Sequence, residues 1–289
     1  MKPLNRRKFI KKTAGIGAMT MLMPPLNLFK SMGTGLQLYT VRSLMSEDPA
    51  GTLKLLSEIG YSKVECAGYS GRTFYGMSPA KFREALESNG LTMPSGHYQT
   101  GLTMPDMEGS MTNGWLNAVK DAAEVGQQYM VLAYLHEEER TSMRDYEKLV
   151  PIIRDCATIC KDYGIQFAYH NHDFEFMELD GVVPYDYLMA ETDPGLVKME
   201  LDLFWTVKAG YDPTALFKEA DGRFPLWHVK DMNDAGEFTE VGTGSINFKS
   251  IFKMAKKAGL EHFFVEQDRI QGDVKQSIST SFMNVQKII

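Results

Sequence analysis

The feature that most constrains this chain is a repeat. A glycine that follows a helical stretch and precedes a short apolar run recurs at Gly60, Gly90, Gly126, Gly164, Gly222 and Gly259, with Pro194-Gly195 filling the one gap. The spacings run from about 27 to 38 residues, the length of one strand plus one helix. Glycine is expected where a helix ends in a left-handed conformation before the chain turns into a strand. The apolar runs fall at 36–41, 62–67, 91–97, 129–134, 165–170, 196–203, 224–229 and 262–266, and a last helical stretch covers 273–289. Between the runs the helical period is plain, as in Tyr146, Leu149, Val150, Ile153, Ala157 and Cys160.

Strict alternation of eight such units predicts a parallel sheet that closes on itself, an α/β fold of the (βα)8 or TIM-barrel type. The competing arrangement is an open doubly wound sheet. It is disfavoured because Gln37-Leu38-Tyr39-Thr40-Val41-Arg42 stands where a G-x-G-x-x-G turn would follow the first strand.

One catalytic domain is expected over residues 31–289, preceded by an address segment over residues 1–30. That segment opens with Arg6-Arg7-Lys8-Phe9-Ile10-Lys11-Lys12 and continues uncharged from Thr13 to Phe29. A paired arginine before a short, moderately apolar stretch resembles a twin-arginine export signal and implies a periplasmic or exported protein. A membrane anchor is the alternative, but Gly15, Gly17, Pro24 and Pro25 interrupt a stretch shorter than the roughly 20 residues that span a bilayer, so stable insertion is not expected.

The first 30 residues hold seven Lys and Arg and no acid, which leaves -13 on residues 31–289 of a chain whose net charge is -6. So acidic a folded part excludes nucleic acid as a partner and points to a small molecule. Cys66, Cys156 and Cys160 do not make a disulfide framework, and the last two sit one helical turn apart on an apolar face as core residues. Trp115 and Trp205 are read as exposed aromatics that could stack a sugar or serve a homo-oligomer.

In a barrel of this kind the chemistry sits at the C-terminal ends of the strands. Here strand 5 ends in Tyr169-His170-Asn171-His172-Asp173-Phe174-Glu175, strand 6 in Glu200-Leu201-Asp202, strand 7 in His228-Val229-Lys230-Asp231 and strand 8 in Glu266-Gln267-Asp268. Side chains alternate across a strand, so His170 with His172, Glu200 with Asp202 and His228 with Lys230 each share a face. Four of the chain's six histidines, His97, His170, His172 and His228, lie at such ends. Mixed imidazole and carboxylate ligands suit a divalent transition metal, Mn or Zn first, with Mg and Co as further candidates.

Lys230 is read as a proton donor or oxyanion holder whose pKa burial would lower. Glu65 and His97 are candidates for substrate hydroxyls. His136 and His262 are given no role. The loop Glu240-Val241-Gly242-Thr243-Gly244-Ser245-Ile246 is either a phosphate cradle or a plain turn, the turn being preferred.

These motifs together resemble the xylose isomerase-like barrels, the sugar phosphate isomerase/epimerase group that includes ketose 3-epimerases and inosose dehydratases. The resemblance covers residues 34–289 and rests on the Gln37–Arg42, His170–Phe176, Leu201–Trp205, His228–Asp231, Val241–Gly244 and Val265-Glu266 segments. It implies a metal held by one residue each from strands 5 to 8, here His170, Asp202, His228 and Glu266. The family places Glu where this chain has His170, with Glu175 nearby as a substitute or a substrate ligand.

The resemblance further implies a sugar isomerase or epimerase that moves a proton next to a carbonyl through an enediolate, with Glu266 as base and Lys230 or His172 as acid. Losing one glutamate weakens two-base epimerisation, so a keto-sugar lyase, hydratase or dehydratase, acting on a 3-keto-glycoside or an inosose, is the close alternative. A non-catalytic sugar-binding barrel and a metal-dependent endonuclease are less favoured readings, the latter because of the charge. Export favours a free sugar or keto-sugar over a phosphorylated one.

Overall fold

A computed structural model describes residues 32–289; the arginine-bearing address segment lies outside them. The eight expected runs are all strands: β1 (Gly35–Gln37), β2 (Lys63–Cys66), β3 (Thr92–Tyr98), β4 (Tyr129–Leu132), β5 (Gln166–His170), β6 (Val197–Asp202), β7 (Leu226–Val229) and β8 (His262–Val265). They pair in parallel with their sequence neighbours, and β1 pairs with β8, which closes the barrel. The first strand is shorter than its apolar run. After Gln37 the chain enters a 3-10 turn over Leu38–Val41, started by the Gln37 side chain, which accepts from the Tyr39 amide.

The helices between strands end as the glycine repeat requires: Gly60, Gly126 and Gly259 are helix caps with positive φ. Their buried stripes, such as Tyr146, Leu149, Ile153, Ala157 and Cys160 in the helix Met143–Asp162, cover the outer face of the sheet. Trp115 belongs to that layer. It is buried and donates its indole N–H to the Cys156 carbonyl, so the exposed-aromatic reading holds for neither sugar nor dimer at this position.

Alternation sorts the strand residues into an outward apolar set and an inward set arranged in tiers. At the N-terminal mouth Lys63 contacts His262 Nδ1 at 2.8 Å and His262 Nε2 meets Gln128 at 3.0 Å. Above them Tyr129, Val131, Ala168, Leu226 and Phe264 form a separate apolar cluster that plugs the lumen. Gly35 makes room for this plug: a Cβ there would lie 2.4 Å from Phe264 Cδ1. Above the plug the inward-facing side chains are polar apart from Ala67 and Ala133, which line the cleft.

The 240–246 loop is the turn the sequence favoured, with the Thr243 amide donating to the Glu240 carbonyl at 3.0 Å, and it is closed around a group of the protein's own. The buried Asp231 carboxylate accepts from the amides of Gly242, Gly244 and Ile246 at 2.8, 3.0 and 3.2 Å, so the protein's own anion fills the glycine-rich nest. Gly244 is required there, since a Cβ would sit 2.4 Å from Asp231 Oδ1. Replacing Asp231 by Ala leaves three amides without their acceptor. It is expected to lower unfolding stability by about 3 kcal/mol in a urea titration, since hydrogen bonds to a charged group contribute about 1.5–3 kcal/mol each and losses are partly recovered by water.

Candidate active site

The upper tier is built by the parallel register. His170 aligns with Glu200, and Asp202 with His228, on adjacent strands. Residues two apart on one strand stack along the lumen, which puts Glu65, His97, His170, Glu200 and His228 in a lower ring and Asp202, Lys230 and Glu266 in an upper one. All of these are buried except His97, which is nearly so.

In the upper ring the Lys230 ammonium lies 2.9 Å from Asp202 Oδ2, 2.8 Å from Glu266 Oε2 and 2.9 Å from Asp268 Oδ1. Burial by itself would lower its pKa, but Asp202, Asp268 and Glu266 outweigh burial and hold it well above the usual lysine range. The sequence-based expectation of a lowered lysine pKa is therefore reversed: Lys230 is a firm cation. Burial would also raise Glu266, yet Lys230 and His228 keep it well below the usual carboxylate range. Burial pushes Asp202 up to about 6 despite the same two cations.

His228 joins the two rings. Its Nδ1 lies 2.6 Å from Glu266 Oε2 and its Nε2 2.5 Å from Glu65 Oε2. Burial opposes the imidazolium, but Glu200, Glu266 and Glu65 prevail and raise its pKa well above the usual value. Burial and then the His228 charge push His170 down to about 3, and burial holds His172 well below the usual histidine range, so both are neutral. In the lower ring Glu200 Oε2 contacts His97 Nε2 at 2.6 Å, with His170 Nδ1 and His228 Nε2 at 3.2 and 3.3 Å. Burial and the Glu200 charge push Glu65 up to about 7.

The donor set fits a divalent cation. Asp202, His228 and Glu266 each offer a ligand atom within 4.8 Å of the others. Asp202 Oδ2 is buried and held by Lys230 at 2.9 Å, and it stands 3.7 Å from His170 Nε2 and 4.0 Å from His228 Nδ1, which leaves room between them. Two carboxylates and up to two imidazoles are ligands that Mn and Zn both accept.

A cleft of about 600 Å³ opens over this tier. His97, His170, Lys230 and Glu266 form its floor, and Tyr39, Tyr134, Phe174 and Trp205 its walls. His172 lines it too, stacked on Phe174 with an interplanar angle of 4°. Arg140 lies over the same ring at 3.6 Å, and His136, which carried no role in the sequence, also faces the cleft.

Two sequence-based assignments need correction. Glu175 is not at the site: it is fully buried behind the wall, where it accepts from the Tyr169 hydroxyl at 2.7 Å and the His172 amide at 2.7 Å. Tyr169 points out of the lumen, opposite His170, and it carries Glu175 away with it. Glu65 does not line the cleft either, because it lies beneath His228. Conversely, Gln37 and Glu200 belong to the tier, and the period-2 alternation with Tyr39 and Asp202 was the available signal for both.

Comparison with known proteins agrees with this architecture. The family profile described as "Xylose isomerase-like TIM barrel" matches residues 53–279. Inosose dehydratase of Geobacillus kaustophilus is 26% identical over 249 residues, 74% of this chain and 75% of its own length. The inosose dehydratase of Lacticaseibacillus casei matches over only 48% of its length. A sugar phosphate isomerase/epimerase from Parabacteroides distasonis superposes with a TM-score of 0.77 at 26% identity, covering 88% of this chain and 93% of that one. The IOLI protein with a bound zinc atom shares the fold, with a TM-score of 0.70 at 15% identity over 89% of this chain and 97% of that one.

Burial pushes Glu175 up to about 7, from an ordinary value near 4.5. The folded protein thus holds a proton that the unfolded chain releases between those values, and the neutral form's stabilisation is lost as pH rises through 7. Glu175→Gln keeps an acceptor for the His172 amide and turns an amide N–H toward Tyr169 Oη, which then accepts rather than donates. Urea titrations from pH 5 to 8 should show the variant's stability declining less with pH than the wild type's, by up to about 3 kcal/mol across the window.

Proposed function

We propose, for a chain that belongs to the xylose isomerase-like TIM barrel family, that it is a divalent-metal-dependent lyase. In this reading it removes a proton next to the carbonyl of a polyhydroxy ketone and expels water from the adjoining carbon. One observation carries the choice of elimination: an ionised carboxylate and a firm ammonium, Glu266 and Lys230, stand 2.8 Å apart in the same ring. The family's strand-5 glutamate is replaced by His170, which is neutral. Base and acid therefore serve the same side of a substrate in the cleft.

The chain's own groups can complete the cycle. Glu266 accepts the carbon-bound proton, and the resulting enolate expels the neighbouring hydroxyl as Lys230 donates a proton to it, so that water leaves. Glu266 then passes its proton to the Lys230 amine across the same contact, which restores both groups. Asp202, His228 and Glu266, with His170 beside them, would hold the metal. When bound, it would supply Lewis-acid polarisation of the ketone oxygen and a neighbouring hydroxyl. Inosose dehydratases, whose names describe loss of water from a keto-cyclitol, are relatives consistent with this reading.

Epimerisation is the second reading, favoured by His172. Its Nδ1 is buried without a partner, and its neutral ring could accept a proton as a second base. The Parabacteroides distasonis structure supports the same alternative.

Metal-loaded protein incubated in deuterated water with keto-cyclitols and ketoses should release water from one of them. Glu266→Gln should lower that rate by about 10²–10⁴-fold, the usual contribution of a positioned base. Lys230→Met should retain deuterium exchange while losing elimination. Recovery of substrate with deuterium at an inverted carbon would establish the epimerase instead, and absence of exchange from every substrate would favour the binding barrel.

We also propose that the protein is exported by its paired arginines and acts on an unphosphorylated substrate. The second point is supported by Asp231, which occupies the amide nest a phosphate would use. Replacing Arg6 and Arg7 by Lys should leave the folded protein in the cytoplasm; unchanged location on fractionation would refute the export reading.

A further inference from the structure

Gln37, Glu65 and His228 form a relay across the lumen that the reaction itself does not use. Gln37 Oε1 accepts from the Tyr39 amide at 3.1 Å, and this fixes which end of the side-chain amide faces inward. Its Nε2 therefore donates to Glu65 Oε2 at 2.8 Å. The same oxygen lies 2.5 Å from His228 Nε2, while His228 Nδ1 faces the opposite way, toward Glu266 and Asp202. Gln37, Glu65 and His228 are all fully buried, and neither Gln37 nor Glu65 borders the cleft. Substrate does not reach this carboxylate.

Two roles remain for a buried carboxylate against an imidazole in such a place: ligand of a second ion in the lower ring, or orienter of the imidazole for an ion in the upper one. The Glu65 contact decides for Glu65 itself. Ligands at about 2.0–2.1 Å in a tetrahedral zinc site are about 3.3 Å apart. The 2.5 Å between Glu65 Oε2 and His228 Nε2 is instead a hydrogen-bond length, so these two atoms do not share an ion. On the other side of the ring, beneath the cleft that Lys230 and Glu266 line, His228 Nδ1 rests 2.6 Å from Glu266 Oε2, and Asp202 Oδ2 stands 4.0 Å from His228 Nδ1 and 3.7 Å from His170 Nε2.

We propose that Glu65, aimed by Gln37, is a positioning residue: it holds the proton on His228 Nε2, so that Nδ1 is the nitrogen presented to the metal. The inference rests on the reading of Asp202, His228 and Glu266 as metal ligands. A carboxylate behind a ligating histidine fixes the ring's tautomer and orientation and raises its basicity, and losing such a partner typically costs 10–100-fold in metal affinity. The relay also explains what the Gln37–Arg42 segment contributes, since its first residue supports the metal ligand from the far side of the barrel.

The test is zinc affinity by chelator competition, together with ¹⁵N-resolved imidazole spectra of the zinc-loaded protein. Wild type should bind zinc with a proton retained on His228 Nε2. Glu65→Leu should bind zinc 10–100-fold more weakly; it also leaves the buried His228 and Gln37 nitrogens without their acceptor, so its metal-free thermal midpoint should fall, and zinc binding is compared below that midpoint, where the variant is folded. Glu65→Gln, which can keep an acceptor at the Oε2 position, should recover most of the affinity.

Wild-type zinc affinity in Glu65→Leu would overturn the proposal, as would spectra showing zinc on His228 Nε2, a measurement that needs no variant. Zinc coordinated by Glu65 itself would overturn it too. Failure of the wild type to bind zinc would overturn both this proposal and the metal reading beneath it, whereas wild-type binding with an unaffected Leu variant would remove this proposal alone.

Discussion

Four carboxylates, Glu65, Glu200, Asp202 and Glu266, are buried together at the upper end of the lumen, and the protein must offset the desolvation this imposes. Two cations of its own do so. Lys230 bridges Asp202, Glu266 and Asp268, and His228, charged through contacts on both ring nitrogens, stands between Glu65 and Glu266. The negative charge still exceeds what these two supply, and Glu65 Oε1 and Glu200 Oε1 are left without hydrogen-bond partners. A site with surplus buried negative charge, mixed oxygen and nitrogen donors and a gap between them is electrostatically prepared for a divalent cation.

That arrangement depends on the rest of the lumen being closed. The plug of Tyr129, Val131, Ala168, Leu226 and Phe264 fills the barrel below the tier, and Gly35 lets the Phe264 ring in. The site is therefore reached from the C-terminal mouth, where the cleft lies. Dry surroundings on the other sides are what make Lys230, Glu266 and the histidines act so strongly on one another. The rigid strands hold the ligands, while the aromatic walls come from loops and short helical turns, a division that keeps chemistry on the scaffold and substrate fit on the connections.

Much of this was legible in the chain. Helix-ending glycines and apolar runs reported the eight units because both are local signals, and alternation put His228 with Lys230 and Glu200 with Asp202 on the inner face. Placement failed where it depended on what lies past a strand's end. Glu175 is five residues beyond His170, and the Phe174–Phe176 turn carries it behind the wall to Tyr169, which no periodicity foretells. Asp231 and the Gly242–Ile246 amides meet only in three dimensions, so the sequence favoured a plain turn there without showing the internal anion that the turn wraps. Glu65 looked like a substrate ligand because strand-end position does not reveal depth, and its tier is set by the β1–β2 register, which pairs Gln37 with Glu65. Trp115 shows the reverse error, since its place in the helix Trp115–Val125 buries a residue read as exposed.

The strand-5 histidine shapes the chemistry more than any other departure from the family pattern. A carboxylate at that position would add a base on the wall opposite Glu266 and more negative charge to a crowded tier. His170 adds neither. Burial and the His228 charge keep it neutral, so it can hold a metal through one nitrogen while its other ring nitrogen lies 3.2 Å from Glu200. At the floor of the cleft, Lys230, Glu266 and Asp268 then form one cluster in direct contact, just past strands 7 and 8. Proton removal and proton donation from one such cluster favour elimination across adjacent carbons, whereas inversion at a single carbon needs groups on both faces. In the proposed reading, the histidine at this one position is what directs the site toward loss of water rather than inversion.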